Sequence, residues 1–152
     1  MRERPRFTVE MHVGRLLEAR VYSLKTAQDV AEYGAAIAEH VARASSGTKL
    51  VLCADHRPVM VYPPSAADGL VAMFERNNAA LERAGLVLDP ANATLLLQLE
   101  RIVREAAYER RKVFRDSESV VTFLSDVLDP RETARAREFL AGFVAGRGPD
   151  RR

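Results

Sequence analysis

Leu50-Val51-Leu52-Cys53-Ala54, running into Asp55-His56-Arg57-Pro58, is the stretch whose reading decides the fold. Five apolar residues in a row, bounded by polar ones, have the length of a strand buried on both faces. Such strands lie at the centre of sheets covered by helices. Asp55-His56-Arg57-Pro58 breaks the run. Val59-Met60-Val61-Tyr62 reads as a short extended segment or a packed loop, and Pro63-Pro64 forbids its continuation as a paired central strand.

Upstream, Phe7, Val9, Met11 and Val13 alternate with polar residues, and Leu17, Ala19 and Val21 do the same. That is the period of two half-buried strands around a turn at Gly14-Arg15. A two-residue loop would put Met11 on the face of Glu18. A three-residue loop through Leu16 pairs Val13 with Leu17, Met11 with Ala19 and Val9 with Val21, and keeps one apolar face. The pattern therefore predicts a bulged or odd-length hairpin. Thr26-Ala27-Gln28-Asp29 resembles a capping box, and the helix after it carries Val30, Gly34, Ile37, Val41 and Ala44 on one stripe.

Downstream, Ser65-Ala66-Ala67-Asp68 has the same box-like form. It predicts a helix bearing Leu70, Met73, Phe74, Asn77, Leu81 and Ala84, stopped by Gly85. Leu86-Val87-Leu88 then makes a short strand. Asp89-Pro90 is a cap followed by proline in the first helical position, ahead of Leu95, Leu96, Leu99, Ile102, Val103 and Ala106. Arg111-Lys112-Val113-Phe114 supplies a fifth strand. Asp116 or Ser117 caps a fourth helix facing inward with Val120, Val121, Leu124 and Val127. Asp129-Pro130 starts a fifth, running to about Ala145, with an apolar edge of Phe139, Leu140, Phe143 and Val144.

A hairpin followed by alternating strands and helices predicts a single-domain α/β sandwich, with a mixed sheet of four or five strands and four or five helices. Residues 1–6 read as a flexible lead, 7–128 as the domain, 129–145 as an added helix and 146–152 as a polar tail.

Composition narrows the class. The chain has 152 residues, 47% of them hydrophobic, which is enough for one core without metal or disulfides. No apolar run approaches a membrane span, and no apolar core of a secretory signal follows the charged start. One cysteine excludes a disulfide framework and a cysteine-based zinc site, and points to a reducing cytoplasm. A net charge of +2 argues against nucleic acid as a partner. The arginines from Arg101 to Arg115 are interleaved with Glu100, Glu105 and Glu109 at the spacing of a solvated helix face.

The polar cluster Asp55, His56 and Arg57 is the candidate binding site. It follows the central strand, and ligands of open α/β sheets bind beyond the carboxyl ends of strands. Tyr62 and Ser65 are expected at the same edge, with Asp89 nearby. As an enzyme the chain would use Asp55, His56 and Arg57 for acid–base work. A polar loop satisfying strand-end backbone groups explains the same residues, and no catalytic residue is assigned. His12 and His40 have no partner at metal-ligand spacing, Cys53 reads as a core thiol, and neither metal nor cofactor is expected.

The order of elements resembles that of the STAS domain family, which includes the anti-sigma-factor antagonists, over about residues 7–128. Val13-Gly14-Arg15-Leu16-Leu17 looks like the family's opening. Val113-Phe114-Arg115-Asp116, leading into Val120-Val121-Thr122-Phe123-Leu124, looks like its closing strand and helix. The resemblance implies a protein-interaction or regulatory module rather than an enzyme. Regulatory members carry an Asp-Ser-Ser-Gly-Leu-type segment whose first serine is phosphorylated. With Asp55 laid on the aspartate ending the family's third strand, Pro63 and Pro64 fall on the motif aspartate and the phosphoacceptor, Ser65 on the second serine and Ala66 on the glycine. The acceptor is missing, so the phosphoserine switch is not expected in its usual form. Ser65 is the remaining candidate for modification, and its first reading is a helix cap.

The expected function is thus a non-enzymatic protein-interaction module with an unidentified protein partner. The alternative is a small-molecule or lipid-binding protein, with a cavity at the sheet's C-terminal edge beneath the helices carrying Met73, Phe74 and Leu96. A homodimer is expected if the apolar edge of the fifth helix does not pack on its own sheet.

Overall fold

A computed structural model of the chain describes residues 5–143. The expected tail 146–152, Val144 and Ala145, and residues 1–4 of the expected lead lie outside that range. Strands β1 (Phe7–Glu10), β2 (Leu16–Val21), β3 (Leu50–Asp55), β4 (Leu81–Val87) and β5 (Arg111–Phe114) form one sheet in the order β1-β2-β3-β4-β5. The first pair is antiparallel and the other three are parallel. Helices α1 (Ala27–Arg43), α2 (Pro64–Asn77) and α3 (Ala93–Ala106) form the crossovers. Helices α4 (Ser117–Ser125) and α5 (Pro130–Ala141) follow the last strand. The fold is the expected α/β sandwich with a mixed sheet.

The pleat explains the layering. Along β2, Leu17, Ala19 and Val21 point to one side, with Leu52 and Ala54 of β3 and Ala84 and Leu86 of β4. Val30, Tyr33 and Ile37 of α1, Leu70, Met73 and Phe74 of α2, and Leu99 and Ile102 of α3 cover that side. Leu16, Val51, Cys53 and Val87 point to the other side, under Val120, Val121 and Leu124 of α4 and Ala136, Phe139 and Leu140 of α5. Each fully buried leucine or isoleucine contributes about 1.5–3 kcal/mol. Met73 and Phe74 are buried core residues.

Four local expectations change. The hairpin registers Phe7 with Val21, Val9 with Ala19 and Glu10 with Glu18, two residues away from the expected pairing. Parity is kept, so the apolar face survives. The connection runs through residues 11–15 because Leu16 is claimed by β3, where it pairs with Val51. Second, α2 ends at Asn77, and after a 3-10 turn (Asn78–Ala80) the chain is strand from Leu81. The buried Arg111 side chain stops the helix by donating to Asn78 Oδ1 (2.6 Å) and to the Phe74 carbonyl (3.3 Å). Gly85 is therefore mid-strand, where α4 comes so close that a Cβ would lie 2.5 Å from Val120 Cγ2. Third, Pro63 is the N-cap of α2, and Ser65 sits exposed inside the first turn instead of capping it. Fourth, Asp89-Pro90 forms a turn and Asn92 caps α3, its Oδ1 accepting from Leu95 N–H at 2.9 Å. The caps Thr26, Asp116 and Asp129 stand as read, the last in a full capping box with Glu132.

Helix α5 packs on its own sheet, so the condition under which a homodimer was expected is not met. Its Glu132 carboxylate, 6% exposed, accepts from Arg15 N–H at 2.8 Å and from Asp129 N–H at 2.9 Å. The contact needs Gly14, which has φ +57° and would place any Cβ 2.0 Å from Glu132 Oε2. Arg6, expected in the flexible lead, pairs with Asp29 and Glu32 of α1.

Candidate functional site

The site expected from the sequence lies at the C-terminal ends of β2, β3 and β4. Asp55 ends β3 opposite Arg20 of β2, and it is fully buried. Arg20 Nε donates to Asp55 Oδ2 at 2.8 Å. Arg57 reaches the same carboxylate through Nε to Oδ1 (2.8 Å) and Nη2 to Oδ2 (2.9 Å), and its backbone N–H adds a bond to Oδ1 (3.0 Å). Both guanidiniums also hold the end of α5. Arg20 donates to the Phe139 carbonyl and Arg57 to the Leu140 carbonyl at 2.7 Å. The Arg20 guanidinium lies 4.3 Å from the centre of the Phe139 ring, and that of Arg57 lies 5.4 Å from the centre of Phe143. Burial works to raise the Asp55 carboxyl, but the Arg57 and Arg20 guanidiniums override it and hold it below the usual carboxylate range. Asp55 and Arg57 thus form an internal clamp that satisfies the C-terminal carbonyls of α5.

His56 and Tyr62 pair with each other. His56 N–H donates to the Val87 carbonyl (2.8 Å), and its Nδ1 lies 2.7 Å from the Tyr62 hydroxyl. Both side chains are buried. Burial lowers the imidazole to about 4 and raises the phenol well above its usual value. His56 Nε2 has no hydrogen-bond partner among the described residues. Cys53 is pushed up to about 12 by burial, so its thiol stays protonated. Ser65 stands apart from this group on the exposed start of α2, and Asp89 serves its own turn by accepting from Ala91 N–H at 2.9 Å.

The structure therefore brings Asp55, Arg57, His56 and Tyr62 to one sheet edge, as expected, but turns their polar atoms inward. What faces outward is the loop between β3 and α2. Gln98 of α3 clasps Tyr62 on both backbone groups, accepting its N–H at 2.9 Å and donating to its carbonyl. Asn92 donates to the Val59 and Met60 carbonyls. Val59 is buried, whereas Met60 is 78% exposed and Val61 52%. Beside them lies an open groove of about 430 Å³ between Tyr22–Lys25 and Pro58–Pro63.

The sequence reading missed three members of this region. Arg20 falls on the polar side of the Leu17–Val21 alternation, where no local pattern marks its partner. Asn92 and Gln98 carry a usable signal, since each is a side-chain amide flanking the apolar run Leu95-Leu96-Leu97. No helix of the described residues is long and apolar enough to cross a membrane. No family model, no curated protein and no solved structure matches this chain.

Proposed function

We propose that the protein is a non-catalytic interaction module and that the loop presenting Met60 and Val61 is its working surface, docked by an apolar patch of a protein partner. The observation that carries this reading is the pinned loop. Two large apolar side chains stand in water, although the backbone on either side of them is fixed by Asn92 and Gln98. A rigid segment loses little entropy when it binds, and apolar side chains presented this way gain from being covered. The inward-facing polar groups support the same reading, because acid–base chemistry needs groups that substrate can touch. A regulatory role, as the STAS resemblance implies, belongs to this proposal. Ser65, exposed one turn from the groove, is the place where an added phosphate would change the charge of that surface.

The groove beside the loop favours a second reading, in which a small apolar ligand such as an acyl chain lies between Leu24 and Val59. Native mass spectrometry of protein isolated from its own cells separates the two. A partner mass that persists in wild type and vanishes in the Met60→Asp, Val61→Asp variant supports the interaction module. A small mass lost on denaturation supports the ligand reading. A bare chain in every state rejects both.

A further inference from the structure

The hairpin register has a chemical result of its own. Glu10 and Glu18 lie directly across from each other on neighbouring strands. Like charges in that position destabilise a strand pair unless a cation lies between them. Arg135 answers only one of them, donating from Nε (2.7 Å) and Nη2 (2.8 Å) to the two oxygens of Glu18. Among the described residues Glu10 has no arginine or lysine partner. Its neighbour is His12, whose Nε2 lies 2.9 Å from Glu10 Oε1. One donor atom from each of Glu10, His12 and Glu18 lies within 4.8 Å of the other two.

We infer that Glu10, His12 and Glu18 form a binding site for a divalent transition-metal ion of the zinc class. Two carboxylate oxygens and one imidazole nitrogen suit zinc, and three protein ligands leave a coordination position open. The three donors need to close by only about 1 Å to surround an ion at roughly 2.0–2.2 Å. Each group has a distinct part. Glu18 is 1% exposed and fixed, so its carboxylate is already oriented. Arg135 orients it from behind, as hydrogen-bonded neighbours of metal-ligating carboxylates do, and leaves a lone pair on each oxygen. Glu10 and His12, 58% and 52% exposed at their side chains, leave the entry path open and can turn to meet the ion. The charge of the set also favours a cation. Two carboxylates and one guanidinium leave one net negative charge for the cation. The imidazole binds in its neutral form, so uptake falls as the solution is made acidic.

The sequence hides this set because His12 has no second histidine at ligand spacing. Glu18 reaches it only through the strand pairing.

Titration calorimetry of the metal-free full chain with zinc chloride tests the inference. The expected result is one ion per chain, with affinity lowered at least tenfold in His12→Ala and in Glu10→Gln. Both positions are exposed, so the variants keep the wild-type circular dichroism spectrum. Cobalt(II) substitution adds a structural readout, since a low-coordinate nitrogen–oxygen site gives visible absorption that His12→Ala loses. Absence of zinc uptake by the wild type overturns the inference. So does uptake that both variants retain, because the ion would then sit elsewhere.

Discussion

The two faces of the sheet are built on different principles. The face under α1, α2 and α3 is apolar, with Leu17, Leu52, Leu70, Leu86, Leu99 and Ile102 filling it. The face under α4 and α5 is apolar beneath α4 but charged beneath α5. There Glu18, Asp55 and Glu132 are buried with Arg135, Arg20 and Arg57 turned onto them or onto the helix end. Apolar packing is non-directional and forgives small changes of shape. Buried charges are directional, and removing one partner leaves the other without water or counter-charge. One side of this protein is therefore held by volume and the other by geometry.

The largest expected effect breaks the charged face. Asp55→Ala leaves two guanidiniums, 12% and 10% exposed, without their carboxylate, and costs about 3–5 kcal/mol. Leu99→Ala on the other face costs about 2–5 kcal/mol through its cavity. Urea denaturation compares them. An Asp55→Ala cost below 1 kcal/mol would reduce the clamp to a surface-like pair.

Acid provides the next probe. His56 titrates near 6.5 in the unfolded chain and near 4 when buried, so the unfolded state binds the extra proton between those values. Its contribution is fully present above about pH 6.5. About 3 kcal/mol is lost as pH falls toward 4. Asp55 acts in the same direction but only lower, because its carboxyl is held below the usual range. Stability measured from pH 7 to 4.5 should decline in wild type and stay flatter in His56→Phe.

Gly85→Ala tests the part of the second face that resembles the first. A methyl 2.5 Å from Val120 Cγ2 forces α4 outward and costs about 1–3 kcal/mol, read as a lowered melting temperature. The smallest effect belongs to Glu132→Gln. It keeps the shape of the capping box, but one of the two N–H donors, Arg15 or Asp129, then faces the amide NH2 in place of an acceptor oxygen, for about 1 kcal/mol. Amide exchange at Arg15 reports whether that loss is local to the hairpin turn.

The same division explains what the sequence made legible. Alternation in Phe7–Val21, the run Leu50–Ala54 and the stripe Leu95–Ala106 expose the apolar face, because its rule is periodic. The strand Leu81–Val87 was hidden because Leu81 and Ala84 also fit a helical stripe and Gly85 looks like a helix stop. Only the contact with Val120 shows why that glycine is there. The site was half visible. Asp55, His56, Arg57 and Tyr62 were found by their place after a central strand. Their partners were out of reach, since Arg20 lies 35 residues from Asp55 and Leu140 lies 83 from Arg57. No local pattern encodes a pairing across such distances.

The hairpin turn and α5 illustrate what that distance means for a growing chain. Arg15 is bonded to Glu132 and Glu18 to Arg135, each across 117 residues. A ribosome makes the hairpin early and the helix that locks it late. Until α5 emerges, Glu18, Arg20 and Asp55 face water, where their charges are hydrated and the clamp has nothing to hold. Closing contacts of such long span slows folding, and it also couples the beginning of the domain to its end. A chain truncated before Pro130 would keep its apolar layer and lose the charged one, so α5 completes the domain that the hairpin begins.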